Sequence, residues 1–160
     1  MTIAKGDRVP AATLKEMTDG GPQNVETGDL FSGRKVVAFC VPGAFTPTCS
    51  AKHLPGFVEK AEAIREKGVD DIVCFAVNDA FVMGAWGEQR GAAGKVRMLA
   101  DGSGDLAKAM GVELDLSGLG LGVRARRYSM IVDDGTVTHL NLEDGGAFEV
   151  SSAEKILEQL

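Results

Sequence analysis

One stretch constrains the fold of this chain more than any other, because it ends a strand and begins a helix within a few residues. The apolar run Val36–Cys40 is continuous rather than alternating, which is typical of a strand covered on both faces. The pair Pro42-Gly43 interrupts it, and a helical pattern begins near Pro47. The sequence therefore predicts a buried strand, a sharp turn and a helix, which is the basic unit of α/β folds.

A cysteine lies in the first turn of this predicted helix. Thr46 is suited to the N-cap position, because its hydroxyl can accept a hydrogen bond from a free backbone N–H. Pro47 then takes the first helical position, where its missing N–H costs nothing. Cys49 follows two residues later, where the helix dipole and the free N–H groups favour negative charge. The stretch therefore predicts a reactive thiolate at Cys49.

The rest of the chain alternates strand and helix patterns. We predict a helix over about 47–67 with a kink at Pro55, followed by a strand over 71–77 and a helix capped by Asn78-Asp79. A strand over 96–100 and a short helix over 105–110 come next. The chain then forms a hairpin of strands over 128–132 and 136–140, and ends in a helix with capping-box spacing at Ser151. A short strand is expected near 9–13, and 111–125 is expected to be a loop. This order predicts a three-layer α/β sandwich with a mixed central sheet. No linker or repeat divides the chain, so a single domain over residues 1–160 is expected.

Composition excludes several classes of partner. The formal net charge is −6, which disfavours nucleic acid and anionic membrane surfaces, since both attract positive charge. No apolar run approaches the length of a membrane span. The chain has three cysteines, a small and uneven number that does not suit the paired disulfides of a secreted protein. The N-terminus also lacks the apolar core of a signal peptide, so a reducing, cytoplasmic compartment is expected. His53 and His139 lack metal-ligand spacing with any cysteine, so no metal site is expected.

Three arginines near the hairpin are candidates for a charge beside the thiolate. Strand alternation places Arg127 on the opposite face from Arg126 and Tyr128, and the residues alone do not decide between Arg126 and Arg127. Arg124 is expected to be solvated. Cys40 lies in the continuous apolar run and is expected to be structural.

Several motifs in order resemble those of a known family. Pro42-x-x-x-Thr46-x-x-Cys49 is similar to the active-site pattern of peroxiredoxins. Residues 41–50 (VPGAFTPTCS), 53–57 (HLPGF), 77–81 (VNDAF) and 126–128 (RRY) resemble the type II, or peroxiredoxin 5, subfamily. Residues 145–152 (GGAFEVSS) resemble its plant and bacterial branch, which uses glutaredoxin and glutathione. The resemblance covers almost the whole chain and implies a thioredoxin-like fold.

The resemblance also implies an activity and roles for individual residues. Cys49 matches the peroxidatic cysteine, which reduces a hydroperoxide and becomes a sulfenic acid. Thr46 matches the threonine that orients thiolate and peroxide, Arg127 the arginine that stabilises the thiolate, and Pro42 the proline that shields the sulfur. Glutathione with glutaredoxin, or thioredoxin, is the implied reductant. No cofactor is implied, and a homodimer formed beside the active site is expected.

Two fates are possible for oxidised Cys49, which differ in the role of Cys74. The plant-like branch places a second cysteine 25 residues after the first, and Cys74 matches it, which makes it a candidate resolving cysteine. Cys74 is equally explained as a buried strand residue. A disulfide needs Cα atoms within ~7 Å, so we hypothesise that the first helical turns unwind, as far as the kink at Pro55.

Two other functions were weighed against peroxide reduction. Dithiol–disulfide exchange is disfavoured because the chain has no Cys-x-x-Cys motif. A redox sensor that relays Cys49 oxidation to a partner protein would use the same chemistry, and it remains the alternative.

Overall fold

The chain forms a mixed β-sheet with helices on both faces, in a computed structural model that describes all residues 1–160. The strands are β1 (Thr13–Thr18), β2 (Gly21–Glu26), β3 (Lys35–Cys40), β4 (Asp71–Ala76), β5 (Arg97–Ala100), β6 (Glu113–Asp115), β7 (Val123–Ala125), β8 (Tyr128–Asp133) and β9 (Thr136–Leu142). The helices are α1 (Thr27–Phe31), α2 (Leu54–Glu59), α3 (Ala61–Glu66), α4 (Ala80–Gln89), α5 (Asp105–Met110) and α6 (Ala153–Gln159), with a π-helical turn at Cys49–His53 and a 3₁₀ turn at Ser117–Leu119.

The sheet confirms the predicted mixed topology. Its strand order is β2-β1-β5-β4-β3-β8-β9. The central strands β3, β4 and β5 run parallel, whereas β8 is antiparallel to β3 and β9 to β8. In this register Cys40 of β3 lies opposite Tyr128 of β8. Residue 127 and the segment after β3 therefore meet at the same end of the sheet.

Two hydrophobic clusters cover the two faces of the sheet. One contains Cys49 and Cys74 together with Phe39 and Phe57, and the other contains Cys40. The rings of Phe39 and Phe57 are stacked with centroids 4.1 Å apart, and burying each such side chain contributes roughly 1.5–3 kcal/mol. Because side chains alternate along a strand, Cys74 shares its face with Cys49, and Cys40 lies on the other face.

Three expectations from local sequence were wrong. Instead of a short strand at 9–13, residues 13–26 form the hairpin β1–β2, which joins the sheet by antiparallel pairing of β1 with β5. The expected loop at 111–125 contains the two-stranded pair β6–β7. The final helix is capped by Ser152, whose side-chain oxygen accepts from the N–H of Lys155, rather than by Ser151.

The expected long helix after Cys49 is divided. Helical geometry begins at Pro47, as predicted. The chain then widens into the π-helical turn, where the N–H of Leu54 donates to the carbonyl of Cys49. This turn ends two residues before Pro55, whose ring crowds an ordinary helical turn and which has no N–H to donate. The clear break falls at Lys60 (φ −98°, ψ 10°), one turn beyond the predicted kink.

Candidate active site

The loop before Cys49 is held in a tight conformation. The N–H of Ala44 donates to Oδ1 of Asn78 at 3.0 Å. A Cβ on Gly43 would lie 3.0 Å from Arg124 Nη1 and 3.1 Å from Thr46 Cγ2, so a larger residue does not fit there without displacing them. Phe45 has φ +65°, a conformation that costs a non-glycine residue about 1–3 kcal/mol. The structure therefore stores backbone strain beside the cysteine.

Thr46 occupies the predicted N-cap position, but its hydroxyl does something else. The carbonyl of Thr46 accepts the first helical hydrogen bond, from the N–H of Ser50 at 2.9 Å. The Thr46 hydroxyl donates to the Gly43 carbonyl at 2.6 Å instead of accepting from a free N–H. Its proton is thereby committed, and its oxygen lone pairs remain available to a ligand.

The thiol of Cys49 lies against a buried arginine. Cys49 is 1% exposed and Arg127 is 3% exposed, and Arg127 Nη2 donates to Cys49 Sγ at 3.2 Å. No carboxylate lies within 4.0 Å of this guanidinium, and its Nε–H has no hydrogen-bond partner. A buried cation without a counter-ion favours the thiolate form of an adjacent cysteine.

The other two arginines are placed differently. Arg126 donates to the carbonyl of Glu143 at 2.8 Å and lies 3.5 Å from the Asp144 carboxylate, so Arg127 and not Arg126 contacts the sulfur. Arg124 was expected to be solvated, which is wrong. It is half-buried because Nε donates to the Leu121 carbonyl at 2.8 Å and Nη1 to the Pro42 carbonyl at 3.3 Å, so it braces the loop that carries Pro42.

His53 is a functional candidate that the sequence analysis considered only as a metal ligand. It is 1% exposed, and its Nε2 lies 2.9 Å from the Ser151 carbonyl. Since a carbonyl only accepts, Nε2 carries the proton and Nδ1 accepts from Arg127 Nη1 at 2.9 Å. Burial, followed by the charge of Arg127, lowers the pKa of His53 to about 3. The sequence does carry one signal for this role of His53: it follows Cys49 by four residues, and residues four apart share one helical face.

Neither of the other two cysteines receives a hydrogen bond from an arginine. All three cysteines are free, and Cys40 and Cys74 are buried in strands. Burial is the main reason that the pKa of both thiols is raised. In the sheet, Cys74 lies opposite Phe39 of β3 on one side and Met98 of β5 on the other. Reactivity is therefore expected at Cys49 alone in the folded protein.

Trp86 provides an internal probe of this site. It is the only tryptophan of the chain and is fully buried. Its Nε1–H donates to the Ser50 hydroxyl at 2.9 Å, next to Cys49. The ring of Phe45 lies 6.4 Å from it.

Comparison with known proteins identifies the family of this chain. The sequence pattern of the Redoxin family matches residues 4–157. The chain is 56% identical over 164 residues to peroxiredoxin-2E-2, chloroplastic, of Oryza sativa subsp. japonica, covering 99% of this chain and 73% of that protein. It is 52% identical over 159 residues to peroxiredoxin-2B of Arabidopsis thaliana, covering 99% and 98%.

A solved structure extends this similarity to three dimensions. Reduced Prx3 of Vibrio vulnificus in complex with hydrogen peroxide superimposes with a TM-score of 0.95 at 51% identity, covering 99% of each chain. The chain is thus a redoxin with a thioredoxin-like fold. More narrowly, it belongs to the peroxiredoxin family, and its curated relatives are type II members.

Two further properties of the surface and side chains bear on partners. None of the helices is long and apolar enough to cross a lipid bilayer. No group of three or more His, Cys, Asp or Glu side chains is arranged to hold a metal ion.

Proposed function

We propose that this protein reduces hydrogen peroxide and alkyl hydroperoxides, with Cys49 as the peroxidatic residue, and that a thiol reductant recycles it in antioxidant defence. The observation that carries the proposal is the 3.2 Å contact between Cys49 Sγ and the buried, uncompensated guanidinium of Arg127. Family membership supports peroxidase chemistry, and the relative from Vibrio vulnificus was solved in complex with hydrogen peroxide.

The proposed reaction assigns a task to each of the four predicted site residues. The Cys49 thiolate attacks one peroxide oxygen, so that an S–O bond forms and the O–O bond breaks. The second oxygen leaves with the electron pair and takes a proton as water or alcohol, and Cys49 becomes a sulfenic acid. Arg127 stabilises the developing charge with its preorganised N–H groups. The Thr46 oxygen accepts a hydrogen bond from the peroxide, and Pro42 shields the sulfur from water.

We propose that an external thiol regenerates the enzyme. A thiolate of glutathione, or of glutaredoxin or thioredoxin, attacks the sulfenic sulfur, releases water and leaves a mixed disulfide, which a second thiol reduces. The burial of Cys74 within a strand paired on both sides favours this route over an internal Cys49–Cys74 disulfide. That disulfide would require the π-helical turn to unwind, as hypothesised above.

We propose a homodimer that forms beside the active site. Six large apolar side chains are exposed. Phe45 lies in the Cys49 loop itself, and Phe81 and Val123 follow or adjoin residues that hydrogen-bond to that loop, Asn78 to Ala44 and Arg124 to Pro42. A second copy of the chain would cover them. Phe81→Asp should shift the molar mass seen in light scattering from dimer to monomer, and an unchanged mass would contradict this assignment. We also propose a cytoplasmic location, which the three free cysteines support; the curated relatives include chloroplast forms.

Steady-state peroxide consumption tests the proposed function. With glutathione and glutaredoxin, or with thioredoxin and its reductase, the wild-type protein should turn over many equivalents of hydroperoxide, and Cys49→Ser should reduce this to the background rate. Cys40→Ser is the matched control and should retain activity. A single stoichiometric oxidation without turnover in either reductant system would contradict the peroxidase proposal and favour the redox sensor.

A further inference from the structure

The segment Glu143–Ser151, here called the C-terminal strap, connects β9 to α6 and closes over the Arg127–His53 pair. The ring of Phe148 has its centroid 5.8 Å from Arg127 Cζ and 5.0 Å from the centre of the His53 ring. At these distances the aromatic face attracts the guanidinium and helps keep water from it.

A single buried carboxylate holds the strap in this position. Glu143 is 2% exposed, and its Oε2 accepts from the backbone N–H groups of Glu149, Val150 and Ser151 at 2.8, 2.8 and 2.9 Å and from the Ser151 hydroxyl at 2.7 Å. Burial raises the pKa of Glu143, but these four hydrogen bonds outweigh it and leave the pKa lowered. The backbone N–H of Glu143 also donates to the carbonyl of Arg127 at 3.0 Å.

The strap decides which tautomer His53 adopts. With Ser151 fixed by Glu143, its carbonyl accepts a hydrogen bond from the Nε2–H of His53, so Nδ1 presents a lone pair toward Arg127. Arg127 Nη1 donates to that lone pair, and the planar geometry of the guanidinium then directs Nη2 at Cys49. The contacts form one chain, from the Glu143 carboxylate through Ser151, His53 and Arg127 to the sulfur.

We propose that His53 and Glu143 are positioning residues of the peroxidase site, and that the C-terminal strap belongs to the active site because it acts on Cys49 through His53 and Arg127. The inference rests on the proposed function, since it explains how the charge beside Cys49 is aimed. The competing explanation is that these residues only pack the core and stabilise the fold.

Substitutions at His53 separate the two explanations. His53→Phe retains the ring that packs against Phe39, Phe57 and Phe148 but loses the acceptor for Arg127. We expect the second-order rate constant with hydrogen peroxide to fall about 10–100-fold, the range known for losing a hydrogen bond that orients a metal-ligating side chain, and the fraction of thiolate at neutral pH to fall with it. His53→Gln keeps one acceptor and one donor and should recover most of the rate. His139→Phe, at a half-buried position on β9, is the control and should change neither quantity.

The outcomes distinguish this inference from the proposed function. A folded His53→Phe variant with wild-type rate and thiolate fraction would overturn the positioning role while Cys49→Ser remained inactive. Activity in Cys49→Ser would instead overturn the proposed function itself. Nitrogen-15 NMR of the wild-type protein provides a measurement that needs no variant. His53 should be protonated at Nε2 alone and should not titrate between about pH 5 and 8, whereas titration near the ordinary value of ~6.5 would overturn the inference.

Discussion

Arginines cluster at both ends of the central sheet, but carboxylates pair with them at one end, whereas the buried Arg127 at the other end has no carboxylate partner. At the amino ends of β4 and β5 the buried carboxylate of Asp71 accepts from Arg34 Nη2 at 3.1 Å and Arg97 Nη1 at 2.9 Å, with Arg65 Nη2 at 3.7 Å. Glu16 pairs with Arg97 through both carboxylate oxygens. At the other end the partners of Arg127 are a neutral imidazole and the Cys49 sulfur, and no carboxylate.

The difference shows how one residue type serves stability in one place and chemistry in another. Each arginine near Asp71 is about one third exposed, with 33% to 35% of its side chain accessible, and carboxylates balance most of the charge. Arg127 is 3% exposed and unbalanced. An unbalanced buried charge costs folding free energy and is retained where an anion must form. The following predictions test this contrast, from the largest expected effect to the smallest.

Removing the charge of Arg127 should have the largest effect, and it should fall on reactivity. Arg127→Gln keeps a hydrogen-bond donor but not the cation. We expect the second-order rate constant for Cys49 oxidation to fall about 10²–10³-fold, the usual cost of losing a preorganised donor at a developing charge. Stopped-flow fluorescence of Trp86 measures it. Arg97→Gln is the matched control and should keep the wild-type rate. An equal loss of rate in both variants would contradict the claim that only the unpaired arginine serves the chemistry.

Removing the charge of Asp71 should affect stability and leave reactivity unchanged. Asp71→Asn should lower the free energy of unfolding by roughly 2–4 kcal/mol. This is below the ~3–5 kcal/mol that a fully buried pair loses, because water solvates the partly exposed arginines. Urea unfolding checks the stability, and peroxide kinetics at low urea check the rate. An Asp71→Asn variant with wild-type stability would show that the ion pairs around Asp71 contribute nothing to the free energy of unfolding.

The Glu143 carboxylate should make stability depend on pH. Its folded pKa is lowered, so its contribution is fully present above the ordinary value of 4.5 and is lost as the pH falls through the folded value. Glu143→Gln should cost about 1.5–3 kcal/mol at neutral pH, the range for hydrogen bonds to a charged group. The gap to wild type should narrow in urea unfolding below about pH 4.5. A constant gap from neutral to acid pH would refute an ionised Glu143.

Cys74 should contribute least. Cys74→Ala removes one buried sulfur from the core and should cost about 1 kcal/mol. Turnover with glutathione and glutaredoxin should be retained, because the proposed route does not need an internal disulfide. Loss of turnover in a folded Cys74→Ala variant would assign Cys74 the resolving role.

The sequence was informative where the determinants are local. Continuous apolar runs predicted β3 and β4, and Asp79 caps α4 as expected, with its Oδ1 accepting from the N–H of Val82 at 2.8 Å. The position of Cys49 after β3 followed from the Pro-Gly break and the start of the helix at Pro47.

The features that the sequence does not predict depend on contacts between distant residues. His53 lies 74 positions from Arg127 and 98 from Ser151, so nothing near it indicates its partners. The hairpin β1–β2 is mostly polar and exposed, and β1 enters the sheet by pairing with β5, far along the chain. The π-helical turn forms where the helix must accommodate Pro55, and the spacing of the apolar residues does not predict it.

The claim that the unbalanced charge of Arg127 generates a thiolate at Cys49 can be tested directly by ultraviolet absorbance of the reduced protein. Thiolates absorb in the far ultraviolet where thiols do not, and Cys40 and Cys74 are held as thiols by burial. At neutral pH the wild-type protein should show the absorbance of one thiolate, which Cys49→Ser and Arg127→Gln should lose and Arg97→Gln should keep. Equal absorbance in wild type and Arg127→Gln would contradict the account.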